Sequence, residues 1–452
     1  MSGLTRDRLI ILAAGLMLSP LCFNSFGIDG DGWGMILSGI RLAETGEYIP
    51  SRFPGYPLPE YLFAFATALQ IHHLTLYIYN LIVFLFSIGT VLVFYSLLPA
   101  FDLNKPLYPA LAFLFTPLFI INATGPMDYN VSLFFLITAA KTAINKKYFF
   151  SGMMFGLAIA SRLSAGPLII AFIFLIYMSE KEFYLKRSME FALGILLTSA
   201  PFLIVLYYNF GPGFLTYFSD SYPAVSIVTG RLSVRIWGII GSLFILIILI
   251  LNLKKVIPLL YVQQGHRVII LFSLIIILLT LIQFFLMPLG SGYLLPMIPF
   301  IILIVTKLSG AKQTYLFPLM MFASALLTDI QPSGLTIQGP VINDILTRKL
   351  QDYRNSIILD LAKTNHTLNN AIIAGRTAEV LSVHGYLHKN EEPLPENVYD
   401  LPGEKEFINL LQKYDRIIIL DEAFEAYNDY SDFDVLRLSD RISVYPLKKI
   451  KP

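Results

Sequence analysis

Residues 27–61 read GIDGDGWGMILSGIRLAETGEYIPSRFPGYPLPEY, and the reading of this stretch decides the architecture. It lies between two strongly apolar segments, yet it carries Asp29, Asp31, Arg41, Glu44, Glu47, Arg52 and Glu60. A turn between packed helices needs only ~2–8 residues, and much longer connections are functional or disordered. Aromatic residues, prolines and a helical middle from Trp33 to Glu44 argue against disorder. The stretch therefore reads as the polar floor of a reaction site at a bilayer surface, with Asp31 its leading candidate.

Outward from this loop the chain is apolar. Of 452 residues, 56% are apolar and 14% charged, which excludes an ordinary soluble protein. Apolar runs at 9–21, 74–98, 107–122, 129–144, 148–161, 163–178, 189–209, 234–252, 268–287, 291–306 and 314–330 predict a polytopic α-helical membrane protein of about 11 transmembrane helices. The short runs 148–161 and 163–178 also fit one bent or re-entrant unit. Arg6 and Arg8 before Leu9–Leu21 resemble the opening of a secretion signal, but no small-x-small cleavage site follows, so an uncleaved first span is expected. A net charge of +2 without a basic stripe argues against nucleic acid as a partner, and the single cysteine, Cys22, cannot form an internal disulfide.

Lys and Arg orient the spans, because cytoplasmic loops retain positive charge. With the N-terminus cytoplasmic, inner loops hold Lys105, Lys141, Lys146, Lys147, Lys181, Lys186, Arg187, Lys254, Lys255, Arg267, Lys307 and Lys312. Outer loops hold only Arg41, Arg52, Arg162, Arg231 and Arg235. Residues 27–61, 121–130, 209–234 and the C-terminal region then lie outside. Residues 1–330 form the membrane part, and 331–452 read as a small extracytoplasmic α/β domain. Its predicted strands are IIAG (372–375), RIIILDE (416–422) and ISVYPL (442–447), with a helix over 401–414 and some parallel pairing.

The outer face gathers the candidate chemistry. Asp31, and Asp128 in TGPMDYN, suit catalysis, but each also suits a plain helix N-cap. Arg52 lies in SRFPGYPLPE, where Pro54, Pro57 and Pro59 are expected to keep the backbone extended and stiff. A guanidinium there suits a lipid phosphate, and ordinary headgroup contact is the plainer alternative. Arg162, in ASRLSAGP, has the same two readings. Adjacent His72 and His73 cannot both face one metal along a helix, so packing is favoured over a metal site. Trp33 is expected in an interfacial aromatic belt. Asp220 and Tyr222, in FSDSYP, suit a sugar contact, but nothing selects them.

The order of these features (a first span, an acid, a helix ending near Gly46, then PGYPLPEYL at 54–62) resembles the GT-C membrane glycosyltransferases, especially the protein O-mannosyltransferase and aminoarabinose-transferase-like branch. Gly32 replaces the Glu that usually follows the acid. GPMDYNVSLFFLITAAKTAINKKYFFSGMMFGLAIASRLSAGPLII (125–170) is similar to that family's second outer acid and its G-x-x-x-G-x-A-x-x-x-R segment. GYLLPMIPFIILI (292–304) resembles the late R-Y-L-L-P segment, with Gly292 in place of the arginine.

The resemblance implies inverting transfer of a sugar from a polyprenyl-phosphate carrier to a glycan, lipid or protein acceptor on the outer face, with the carrier tail in membrane lipid. It implies Asp31 as general base, with Asp128 assisting it by positioning the acceptor. Arg52, Arg162 and Arg231 are implied on the donor phosphate, and Asp29, Tyr56, Glu60 and Tyr293 on substrate. A divalent cation, Mg²⁺ or Mn²⁺, held by Asp31 and Asp128 is a further expectation, although two acids are a thin ligand set. A bacterial inner membrane is the expected location. The alternatives are a transporter or flippase of polyprenyl-linked sugars and an inactive GT-C-like assembly partner.

Overall fold

The computed structural model describes residues 3–27, 30–69, 77–103, 105–215, 222–259, 264–331, 334–375, 377–387, 397–421, 423–424 and 440–447. Asp29, His72, His73 and Asp220 lie outside the described residues.

The chain opens with α1 (Gly3–Leu16) and a 3₁₀ turn (Ser19–Phe23). The polar stretch then folds as two helices, α2 (Gly30–Thr45) and α3 (Pro57–Ala68). Gly46 ends α2 at φ +74°, a left-handed conformation that favours a residue without Cβ. The two helices cross closely because Gly39 faces α3, where a Cβ would come within 2.7 Å of Phe63 Cβ. Pro57 and Pro59 start α3 instead of prolonging an extended segment. Amides in a helix's first turn have no partner within it, so proline costs little there.

The membrane part continues through α4 (Ile78–Leu97), α5 (Leu107–Leu114), α6 (Pro117–Ala123), α7 (Asp128–Ile144) and α8 (Tyr148–Ser161). A 3₁₀ turn (Leu163–Leu168) leads into α9 (Ile169–Ser179) and α10 (Tyr184–Phe210). Then come α11 (Val225–Leu232), α12 (Val234–Leu251), α13 (Leu253–Leu259) and α14 (Gln264–Leu286). A last 3₁₀ turn (Ser291–Met297) precedes α15 (Ile298–Leu308) and α16 (Ala311–Leu326).

Among the described residues, five helical stretches are long and apolar enough to cross a bilayer: Ile78–Phe101, Tyr184–Phe214, Val234–Leu251, His266–Leu286 and Ser291–Leu308. This is a multi-pass membrane protein. Length and apolarity alone do not return the expected count of eleven, because some apolar runs are broken. Pro117 splits the run at 107–122 into α5 and α6, and an extended Arg162 (φ −161°) separates α8 from the turn before α9. Phe94, Phe113, Phe155, Phe172, Phe272 and Phe300 lie in one buried apolar core shared by these helices.

Beyond α16 lie a short antiparallel pair, β1 (Asp329–Gln331) and β2 (Gly334–Thr336), and then α17 (Pro340–Thr367). The remaining elements are β3 (Asn370–Ile373), α18 (Thr377–Leu387), β4 (Val398–Tyr399), α19 (Glu404–Lys413), β5 (Arg416–Leu420) and β6 (Ile442–Tyr445). The last four strands form one parallel sheet in the order β4-β3-β5-β6, with Ile372 opposite Ile418 and Ile418 opposite Ser443. One face packs Ile373 and Ile419 with Phe407 of α19, and the other packs Ile372 and Leu420 with Ile358 of α17.

This sheet unit rests on the polar stretch. Val380 and Val383 of α18 join Trp33, Met35 and Ile36 of α2 in a second core. Trp33 is therefore not a belt residue. It is 2% exposed, edge-on to Phe26, and it is enclosed because α18 covers that face of α2.

Candidate active site

Two acids meet from separate helix starts. Asp31 is the second residue of α2, and Asp128 is the first residue of α7, whose N-cap is Met127. Both therefore sit inside the first turn instead of capping it. That position still enjoys the positive end of the helix dipole, and it leaves the carboxylates free to reach across to other elements.

Arg52 bridges them. Its Nε lies 3.2 Å from Asp31 Oδ2, its Nη2 lies 3.2 Å from Asp128 Oδ1, and its Nη1 donates to the Asp31 carbonyl at 3.2 Å. Arg162 pairs through Nη1 with the other Asp128 oxygen and donates from Nε to Ser164 Oγ at 3.1 Å. Its extended backbone at the end of α8 directs the side chain here. Tyrosine rings line the guanidinium groups: Arg52 lies 4.1 Å from the Tyr56 ring centre, and Arg162 lies 3.9 Å from Tyr129 and 4.4 Å from Tyr293. Burial pushes the Tyr56 phenol up to about 12, against the pull of Arg162 and Arg52, so it remains a hydroxyl donor at neutral pH.

The two acids differ in access. The Asp128 side chain is wholly buried, whereas that of Asp31 is 33% exposed. Beside the cluster lies a cavity of about 260 Å³ whose walls include Gly27, Gly125, Tyr129, Ser291, Gly292 and Arg348. Phe26, Leu118, Ile121 and Met127 give it a largely apolar wall, and it meets the cluster through Tyr129, since none of Asp31, Arg52, Asp128 and Arg162 lines it.

Of the residues singled out from the sequence, the fold gathers Asp31, Asp128, Arg52, Arg162, Tyr56 and Tyr293. Arg231, on α11, donates to the Pro288 carbonyl and forms no ion pair with either acid. Tyr222 is exposed. Glu60 is fully buried and faces inward, accepting hydrogen bonds from the Tyr48 hydroxyl and, at 2.9 Å, the Ser51 amide. Tyr129 was not singled out, although its place beside Asp128 in MDYN was a usable signal.

Gly292 now has a physical reason. A Cβ there would come within 2.5 Å of the Tyr129 ring, so no arginine fits, and Arg162 lies over the same ring instead.

The acids do not make a good divalent-cation site. Both face a guanidinium that a cation would repel, and among the described residues no three His, Cys, Asp or Glu side chains cluster.

No family model matches the chain, and no curated protein matches it. Among solved structures, ArnT from Cupriavidus metallidurans bound to undecaprenyl phosphate superposes with a TM-score of 0.50 at 14% identity, over 66% of this chain and 59% of that one. Over that region the chain shares the fold of this ArnT. The apo structure of the same ArnT gives a TM-score of 0.45 over the same shares. The likeness to ArnT thus spans about 59% of ArnT's length and is a likeness of fold.

Proposed function

We propose that this protein is an inverting glycosyltransferase that takes a hexosyl or pentosyl group from a polyprenyl-phosphate donor and passes it to an acceptor on the outer face of a bacterial inner membrane. The observation that carries the reading is the Asp31–Arg52–Asp128–Arg162 cluster at the head of a membrane helical bundle. The fold shared with an ArnT that binds undecaprenyl phosphate supports it.

The chemistry follows from the differences within the cluster. Asp128, wholly buried, holds both arginines in place and is the poorer candidate for proton transfer. Asp31, partly open, takes the proton of the acceptor hydroxyl as that oxygen attacks the anomeric carbon. The bond from this carbon to the phosphate oxygen breaks, and the electron pair leaves with polyprenyl phosphate. Arg52 and Arg162 stabilise the growing phosphate charge. An arriving phosphate competes with Asp31 for Arg52, and this releases the carboxylate to act as base.

The test is transfer of labelled sugar from polyprenyl-phosphate donors in reconstituted vesicles, with products identified by mass. Asp31→Asn should fold normally and lose activity by ~10²–10⁴-fold, the usual contribution of a general base. Arg52→Ala should weaken use of the donor. Near-normal turnover by a folded Asp31→Asn protein would remove that residue from the mechanism.

A further inference from the structure

We infer that Glu60 is the positioning residue for Arg52, clasping the segment that delivers this arginine to both acids. The inference rests on the donor-phosphate reading of Arg52 given above. Residues 47–50 have no regular secondary structure, so no helix or strand ladder sets the path of the chain into Arg52. Side chains hold it instead. Thr45 Oγ1 accepts the Glu47 amide at 3.1 Å, Ser38 Oγ donates to the Ile49 carbonyl at 2.5 Å, and Glu60 supplies two more anchors.

One Glu60 oxygen accepts the Ser51 amide at 2.9 Å, and the other accepts the Tyr48 hydroxyl. The Tyr48 ring is itself stacked on Tyr61, with centres 5.5 Å apart. A single carboxylate, rooted in the first turn of α3, thus grips the segment at 48 and again at 51. The next residue is Arg52, which spans Asp31 and Asp128. Glu60 is wholly buried, so it reaches the reaction through Arg52 and not by touching substrate. A carboxyl group is suited to this task because its two oxygens can each take a hydrogen bond at once.

The experiment measures binding of undecaprenyl phosphate to the purified full-length protein in detergent for wild type, Arg52→Ala, Glu60→Ala, Glu60→Gln and the Glu60→Ala/Arg52→Ala pair. Glu60→Ala should weaken binding by about tenfold to a hundredfold, the scale of two lost buried hydrogen bonds. The double variant should bind no more weakly than Arg52→Ala alone, because both changes remove the same arginine contact. Glu60→Gln should recover most of the loss, with its amide oxygen on the Ser51 amide and its nitrogen donating to a turned Tyr48 hydroxyl. Should Glu60→Ala fail to fold, Tyr48→Phe removes half of the clasp and should show a smaller loss. Wild-type binding in the Glu60 and Tyr48 variants, or additive losses in the double variant, would overturn the positioning role while leaving Arg52 on the phosphate. Wild-type binding by Arg52→Ala would instead overturn the phosphate reading, and this inference with it.

Discussion

At Asp128 both carboxylate oxygens are held by arginines and no surface is left open, while the Asp31 side chain keeps a third of its surface. The two residues were equivalent as letters, each an acid before a helix. Only their partners separate a base from an organiser of charge. Glu60 gives a residue-scale prediction in pH. Burial holds its proton above the ordinary value of 4.5, against opposing pulls from Ser51, Tyr48 and Arg52. The folded chain therefore binds more protons than the unfolded chain once pH passes the ordinary carboxyl range. Stability must fall as pH rises from there through the folded value. Glu60→Gln has no such proton to lose. Thermal unfolding between about pH 4 and about pH 7 should show a flatter pH dependence for this variant than for wild type.

Among the elements, α8 and α10 show how the sequence delivers an arginine to a site. Gly152 and Gly156 on α8 lie against the α10 backbone at Phe191 and Ile195, and Gly194 on α10 answers them against α8. Small residues spaced four apart allow this close approach in membrane helices. Thr198 Oγ1 then reaches the Met153 carbonyl at 2.8 Å, and Arg162 follows at the end of α8. Gly152→Leu should separate the pair and cost at least the ~1–3 kcal/mol typical of overpacking. The expected result is a lower unfolding temperature and a loss of transfer activity. Gly166→Ala, where an added Cβ meets nothing within 4 Å, is the matched control and should be neutral. The glycine spacing was legible in the sequence. That its purpose is packing against α10 was not, because nothing local names the partner helix.

Over the whole molecule, α17 ties the C-terminal region to both acid-bearing loops. Arg348 donates to the Thr124 carbonyl at 2.8 Å and the Ile121 carbonyl at 3.1 Å, at the end of α6 and four residues before Asp128. Asp344 pairs with its Nε at 2.7 Å, and Ser25, on the path to Asp31, donates to Asp352 at 2.7 Å. Arg348→Ala leaves the mostly buried Asp344, 15% exposed, without its counter-charge, a change that costs at most the ~3–5 kcal/mol of a fully buried pair. It should lower the unfolding temperature and speed hydrogen exchange over residues 121–128, although Arg348 touches neither acid. Unchanged exchange there would show that the loop holds itself.

The amino-acid sequence by itself determined the membrane class, Asp31, Asp128, Arg52 and Arg162 as candidates, and three of the four strands of the C-terminal sheet, missing the two-residue β4. All of these are local signals: apolar length, alternation, charge bias and short motifs. The tertiary structure alone decided which candidates meet, since the charged cluster joins residues 31, 52, 128 and 162 from different elements. It also turned Glu60 and Trp33 inward, set Arg231 against Pro288 and left no room for a side chain at Gly292. An ionic or packing contact depends on distance in space, and a composition or a motif carries distance only along the chain.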